Sequence, residues 1–313
     1  MWDVLLDAVI DSLKILPFLF VVYLIIELIE EKSGNGFKNS RLLSGNGAPL
    51  LGASAGLIPQ CGFSVMATHL FSSGHIGAGT LIAVYIATSD EALPIMLADV
   101  TKLPSVFLTK MLPLFAIKFA LALIVGYAVH FAAKGLKTRQ TKTTAATKTA
   151  NKDCPADSDQ KEPDIGCCGH KIAGDDERES KWKKYLLHPI LHSLKILAYI
   201  LLINIIFGAV FYYVGDKALT DALTNVGYFQ PLLSALVGMI PNCASSVLLT
   251  QLFLKGAITL GSTVAGLSVN AGLAFAVLFK QNKNLKQNFA ILGVTFAASA
   301  LAGTILMLAG VNF

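Results

Sequence analysis

LGASAGLIPQCGFSVMATHLFSSGHIGAGTLIAVYIATSDEA, residues 51–92, lies without a gap on LSALVGMIPNCASSVLLTQLFLKGAITLGSTVAGLSVNAGLA, residues 233–274, at a constant offset of 182. Gly56, Ile58, Pro59, Cys61, Ser64, Val65, Thr68, Leu70, Phe71, Gly74 and Gly79 meet identical residues in the second copy. Both copies are apolar, and both are interrupted at the same place by Ile-Pro, an amide residue and Cys. A duplicated apolar unit with a proline break in each copy predicts a membrane protein whose central site is built from broken helices.

The rest of the chain agrees with a membrane setting. Of its residues, 54% are hydrophobic and only 14% charged, against about 25% charged in soluble proteins. Apolar runs recur at Leu13–Ile26, Ala48–Phe71, Ile76–Leu97, Leu103–Ala133, Leu186–Val214, Pro231–Leu254, Ile258–Phe279 and Phe289–Val311. Several exceed the roughly 20 residues needed to cross a bilayer. The expected fold is all-α and polytopic, with about ten helical segments in two five-segment repeats. No basic region precedes the first apolar run, which carries Asp3, Asp7 and Asp11 instead, so that run is expected to be a retained helix rather than a signal peptide. The net charge of +5 is modest and sits at helix ends, which does not suggest nucleic acid. Five cysteines, an odd number, argue for free thiols over a disulfide framework.

Lys, Thr, Ala, Asp and Glu dominate from Lys134 to Lys184, a composition unable to bury a core of its own. The expected organisation is therefore a first membrane repeat over 1–133, a hydrophilic, disordered linker over 134–185 and a second repeat over 186–313. The apolar segments flanking each Ile-Pro break hold about a dozen residues, half of a bilayer at 1.5 Å per residue, so each pair reads as a re-entrant hairpin. Three crossings per half would invert the second repeat relative to the first. That scheme places Lys32, Lys38, Arg41, the basic linker and Lys280, Lys283 and Lys286 together on the cytoplasmic side. In the competing scheme each hairpin is a kinked crossing, and the linker falls outside.

Four groups of residues could carry chemistry. At the hairpin tips, Gln60, Cys61 and Ser64 face Asn242, Cys243 and Ser246, which could bind an ion with the help of half-helix ends or could simply pack and cap the breaks. Thr88, Ser89, Asp90 and Glu91 fall inside an otherwise apolar helix, where each carboxylate costs roughly 2.5 to 3.5 kcal/mol near the centre and marks an ion or proton pathway, or else the pair sits near the helix end and reaches the interface. The second copy has Asn270, Gly272 and Leu273 where the first has Thr88, Asp90 and Glu91. In the first helix of each half, at an offset of 181, Asp7, Asp11 and Lys14 fall on His188, His192 and Lys195 at helical spacing, as coupling residues or as interfacial polar groups. In the linker, Cys167, Cys168 and His170 are metal-like in composition but lack the spacing of a structural zinc site. No Walker motif is present, and no resident cofactor is expected.

The two-copy build, the Ile-Pro-Gln-Cys-Gly and Ile-Pro-Asn-Cys-Ala breaks, the Thr-Ser-Asp-Glu-Ala segment and the Cys/His-bearing central loop resemble a bacterial family of ten-helix heavy-metal exporters, described as arsenic-efflux-like or as manganese transporters. The resemblance implies export of a metal or metalloid ion across the bacterial cytoplasmic membrane. With only two membrane cysteines beside an acidic pair, a manganese-like divalent cation is favoured and an arsenic species comes next. Other readings are an organic-anion or organoarsenical permease drawing on Lys14 and Lys195, and an intramembrane enzyme with Cys61 or Cys243 as nucleophile and His192 as base. Oligomeric state is not legible.

Overall fold

The computed structural model describes residues 45–58, 61–89, 91–100, 107–147 and 216–310, together with isolated positions between 198 and 213. The described residues form helices and turns, with no strand among them. In the first half, α1 (Ala48–Gly56), α2 (Cys61–Ser72), α3 (Ala78–Ala87) and α4 (Ala92–Val100) lead through a short π-helical turn (Phe107–Met111) into α5 (Leu112–Thr147). In the second, α6 (Asp216–Asn225) and a 3-10 turn precede α7 (Gln230–Gly238), α8 (Cys243–Leu254), α9 (Leu260–Val269), α10 (Ala274–Gln281) and α11 (Leu285–Leu308).

The duplication is carried into the backbone: α2 and α8, and likewise α3 and α9, begin and end at positions 182 apart. Local chemistry explains the shared boundaries. Pro49 and Pro231 occupy the first turns of α1 and α7, where a missing N–H is harmless. Both α2 and α8 end in paired main-chain bonds that satisfy the last carbonyls. His75 N donates to Leu70 O (2.8 Å) and Gly74 N to Phe71 O (2.9 Å), matched by Ala257 N to Leu252 O (2.8 Å) and Gly256 N to Phe253 O (3.0 Å). The left-handed position in each turn falls to a glycine, Gly74 (φ +77°) and Gly256 (φ +71°).

Packing repeats as well. In the first half α3 lies between α1 and α5; in the second α9 lies between α7 and α11. Backbones touch at these crossings because small residues permit it. A Cβ on Gly79 would stand 2.5 Å from the Gly126 carbonyl, and one on Gly261 would strike the carbonyl of Gly303. Such close approach is how helices associate without a hydrophobic drive between them. Between the halves the short helices are exchanged: α2 packs on α10, α8 packs on α4, and α3 meets α9 at the centre. Tyr85 and Phe275 join the halves edge to face at 5.0 Å. Lys110 adds a clasp, its Nζ donating to the carbonyls of Phe253 (3.2 Å) and Leu254 (2.8 Å) at the C-terminal end of α8.

By length and composition, Ala78–Asp99, Phe107–Gly135, Leu260–Gln281 and Leu285–Leu308 can each cross a membrane. The two containing α3 and α9 form the interior, whereas α5 exposes Ile124 and Phe131, and α11 exposes Phe289, Leu301, Ile305 and Leu308, on their outer faces. Exposed apolar faces of that extent suit lipid rather than water.

One expectation needs correction. Thr88, Ser89 and Glu91 do not lie inside a helix: α3 stops at Ala87, Thr88 turns extended (ψ 135°), and α4 starts at Ala92. Pro94 explains the restart, since a proline is tolerated in a first turn but not mid-helix. The second copy breaks at the same place by another device, Asn270 Oδ1 accepting from Gly272 N (2.9 Å) with Gly272 at φ +54°.

Candidate functional site

Each half thus contributes a helix that frays at its centre, and the two frays meet. A small cavity lies between them, lined by Thr88, Ser89 and Glu91 from the first, Leu267, Asn270 and Gly272 from the second, and Cys243 and Ser246 from the start of α8. About 10 Å³ of it is open to the centre of a water molecule, the room of one water or one small ion.

Several polar groups around it are already engaged in holding the break open. Thr88 Oγ1 donates to Val84 O (2.7 Å), Asn270 Nδ2 to Ser245 Oγ (2.8 Å), and Ser246 Oγ to Cys243 O (2.8 Å). Asn242 caps α8, its Oδ1 accepting from Ala244 N (3.2 Å), and Ser245 Oγ donates back to Asn242 O (2.7 Å). Ser89 differs: its hydroxyl is buried and has no hydrogen-bond partner among the described residues. A buried hydroxyl without a partner, on a residue that lines a cavity, is a position where a ligand or a water can be accepted after a small side-chain rotation.

Beside the cavity lies the one fully buried ammonium among the described residues. Lys118, at the centre of the apolar run of α5, donates from Nζ to Thr88 O (2.8 Å) and to Leu267 O (2.7 Å). These carbonyls belong to the C-terminal ends of α3 and α9, which carry the negative end of each helix dipole. A single cation therefore clamps the two halves at their frayed ends. The reading of the sequence missed Lys118, although the signal was present: it is the lone charge between Met111 and Ala133.

Of the residues expected to form a site, Thr88, Glu91, Cys243, Ser246 and Asn270 come together at this cavity. Asn242 serves as a helix cap, and Ser64 is buried in α2, its carbonyl accepting from Thr68 Oγ1 (2.7 Å). Gln60, Asp90 and the side chain of Cys61 lie outside the described residues, as do Asp11, Lys14, His192, Lys195 and the linker's Cys167, Cys168 and His170. Among the described residues no three His, Cys, Asp or Glu side chains converge as a metal cage. The donors at hand are instead one carboxylate, hydroxyls, an amide, main-chain carbonyls and one thiol.

Described residues that are all helix and turn, with bilayer-length apolar helices broken around a polar cavity, have the build of a polytopic membrane protein. Residues 3–173 and 192–312 match the family ArsP_2, described as "Putative, 10TM heavy-metal exporter", and the chain belongs to that family. Comparison with curated proteins and with solved structures gives no match.

Proposed function

We propose that this protein is a secondary-active exporter of a heavy-metal cation, and that the cavity between the two frayed helices is where the cargo pauses. The observation that carries the reading is the convergence of both duplicated breaks on one small space, with a carboxylate, hydroxyls and carbonyl ends around it. In this reading the halves are inverted repeats with re-entrant hairpins at the Ile-Pro breaks, the linker is cytoplasmic, and transport proceeds by alternating access as the halves rock about the shared cavity. Asp90, next in the chain to Ser89 and Glu91, adds a second carboxylate.

Hard oxygen donors favour a manganese-like divalent cation, and a loosely built site suits a cargo that must also leave. Lys118 then acts as the resident positive charge. It holds the carbonyl ends of α3 and α9 when no cargo is bound, and cargo competes with it for the same negative ends. Cys243 supports a second reading, in which a trivalent arsenic species is held through the thiol.

Flux into everted membrane vesicles, measured for manganese, zinc, cadmium and arsenite, tests both readings. Manganese flux lost in Glu91→Gln and retained in Cys243→Ser sustains the first, and arsenite flux lost in Cys243→Ser selects the second. Wild-type vesicles that move none of these ions would rule out the proposed cargo.

A further inference from the structure

A second site emerges from the place where the two copies stop matching. In the second half, Gln230 is buried and ties the N-terminal end of α7 to the turn before α9. Its Oε1 accepts from Thr259 N (3.1 Å), Thr259 Oγ1 (3.2 Å) and Ser262 Oγ (2.8 Å), while its Nε2 donates to Leu223 O (3.0 Å). Thr259 also caps α9, its Oγ1 accepting from Ser262 N at 3.2 Å. One amide oxygen thus gathers the donors at the start of α9.

At the offset of 182, Gln230, Thr259 and Ser262 correspond to Ala48, Gly77 and Thr80. The first half therefore keeps two of the three donor positions, the Gly77 N–H and the Thr80 hydroxyl, and lacks the acceptor. Gly77 precedes α3 without any side-chain cap, so the first N–H groups of that ten-residue helix are not met by one. Thr80 is 5% exposed and its hydroxyl has no hydrogen-bond partner among the described residues. In the second half, the matching hydroxyl is satisfied by Gln230.

The first half has an open cavity here, about 320 Å³, lined by Gly74, His75, Gly77, Thr80, His130 and Lys134 among others. No carboxylate lines it among the described residues. The basic side chains are particular to this half. His75 corresponds to Ala257, and on the offset of 177 that pairs Gly126 with Gly303, His130 corresponds to Met307 and Lys134 to Val311. The crossing at Gly79 and Gly126 sets His130 against the start of α3, since a Cβ on Gly79 would lie 2.7 Å from His130 N. Lys134 Nζ reaches the same end from the exposed end of the apolar span, donating to Asn46 Oδ1 at 3.3 Å.

We propose that this cavity binds a tetrahedral oxyanion, a phosphate group, whose oxygens take the part that Gln230 Oε1 plays in the second half. The α3 N-terminus and Lys134 supply positive potential, the Thr80 hydroxyl supplies a donor without a partner among the described residues, and His75 and His130 line the same pocket. The position at the exposed end of a membrane-crossing helix admits two sources, a free phosphate or the headgroup of an anionic lipid. Both present the same chemistry to these residues.

Equilibrium binding on the full-length purified protein distinguishes them. One arm titrates radiolabelled inorganic phosphate at constant ionic strength in non-ionic detergent. The other measures retention of phosphatidic acid against phosphatidylcholine in mixed micelles. Saturable binding in either arm is expected, weakened about fivefold by Thr80→Val, which removes one donor at nearly constant shape, and about tenfold or more by His130→Gln with Lys134→Gln. Phosphatidic acid retained without competition from free phosphate assigns the site to lipid; competition assigns it to either source. The inference is overturned if neither arm saturates, or if all variants bind as the wild type does. Should the double variant fail to fold, the isosteric Thr80→Val decides alone. Manganese flux is not read in this experiment, so its outcome is separate from that of the cargo site.

Discussion

The two halves of this protein are alike where backbones touch and unlike where charge is handled. Gly79 and Gly126 in one half, Gly261 and Gly303 in the other, form the same crossing, and Thr68 and Thr250 each return a hydroxyl to the carbonyl four residues back at 2.7 Å. The polar equipment does not repeat. The first fray carries Glu91 where the second has Leu273, Lys118 stands where α11 has Thr295, and the second half alone has Gln230. Contact positions in a duplicated membrane fold tolerate almost no change, because each serves a crossing that only a small residue permits. Polar positions are free to differ once a single shared cavity needs each group only once.

The largest effect expected from this contrast is on the crossings. Gly261→Leu or Gly79→Leu forces two backbones apart, an overpacking cost of about 3 kcal/mol or more, and folded protein should be lost in both halves alike. Size-exclusion profiles of tagged membrane extracts read this directly. Gly293→Leu is the control, since a Cβ there meets nothing within 4 Å. A half that tolerated its Gly→Leu change would break the claimed equivalence.

Next in size is Lys118→Met. It strands the carbonyls of Thr88 and Leu267, at about 1–3 kcal/mol for each group left unsatisfied, and removes the charge proposed to alternate with cargo. Flux should vanish while folded protein remains detectable. The counterpart Thr295→Val removes only a hydroxyl bonded within its own helix to Ile291 O (2.8 Å), and both thermal midpoint and flux should stay close to wild type. Equal losses of flux in the two variants would remove Lys118 from its special role.

Gln230→Leu comes third. It leaves Thr259, Ser262 and the Leu223 carbonyl without their shared partner, for about 2 kcal/mol, and the loss should appear as a lower thermal midpoint. Ala48→Leu, at the matching position, disturbs packing but breaks no hydrogen bond of this kind. If phosphate raised the midpoint of Gln230→Leu as strongly as that of the wild type, its stabilising action would lie in the half that kept its open cavity.

How much of this was legible beforehand follows from what sequence encodes locally. The duplication, the helical class and the helix breaks at the two Ile-Pro-amide-Cys stretches could be read directly, because proline and repeated glycines act over a few residues. Thr88, Glu91, Cys243, Ser246 and Asn270 line one cavity, but only Thr88 and Asn270 stand at matched positions of the two copies, and the others meet there through long-range packing. The fray at Thr88 was mistaken for helix, since apolar residues on both sides masked the capping chemistry of Thr, Ser and Pro94. Lys118 was passed over because its partners are main-chain carbonyls from two distant segments, which no spacing in α5 reveals. The basic cavity at His75, His130 and Lys134 depends on the same kind of long-range meeting.

The smallest effect tests the finest difference between the copies. Thr68 Oγ1 spends its proton on Ser64 O, so the Tyr85 hydroxyl, 2.7 Å away, is the donor in their bond. Position 267 has leucine where the first copy has Tyr85, and Thr250 has no such neighbour to serve. Thr68→Val therefore abandons a fully buried phenol, whereas Thr250→Val gives up only its own bond, and the first should be costlier by about 1 kcal/mol. Adding Tyr85→Phe to Thr68→Val removes the stranded donor and should recover most of that difference, since losing both partners of a buried bond is close to neutral. Thermal midpoints of the wild type, Thr68→Val, Tyr85→Phe and the double variant complete a double-mutant cycle. A cycle with no coupling would mean that the phenol finds another partner when Thr68 is gone, and that the two copies are held together by the same bonds after all.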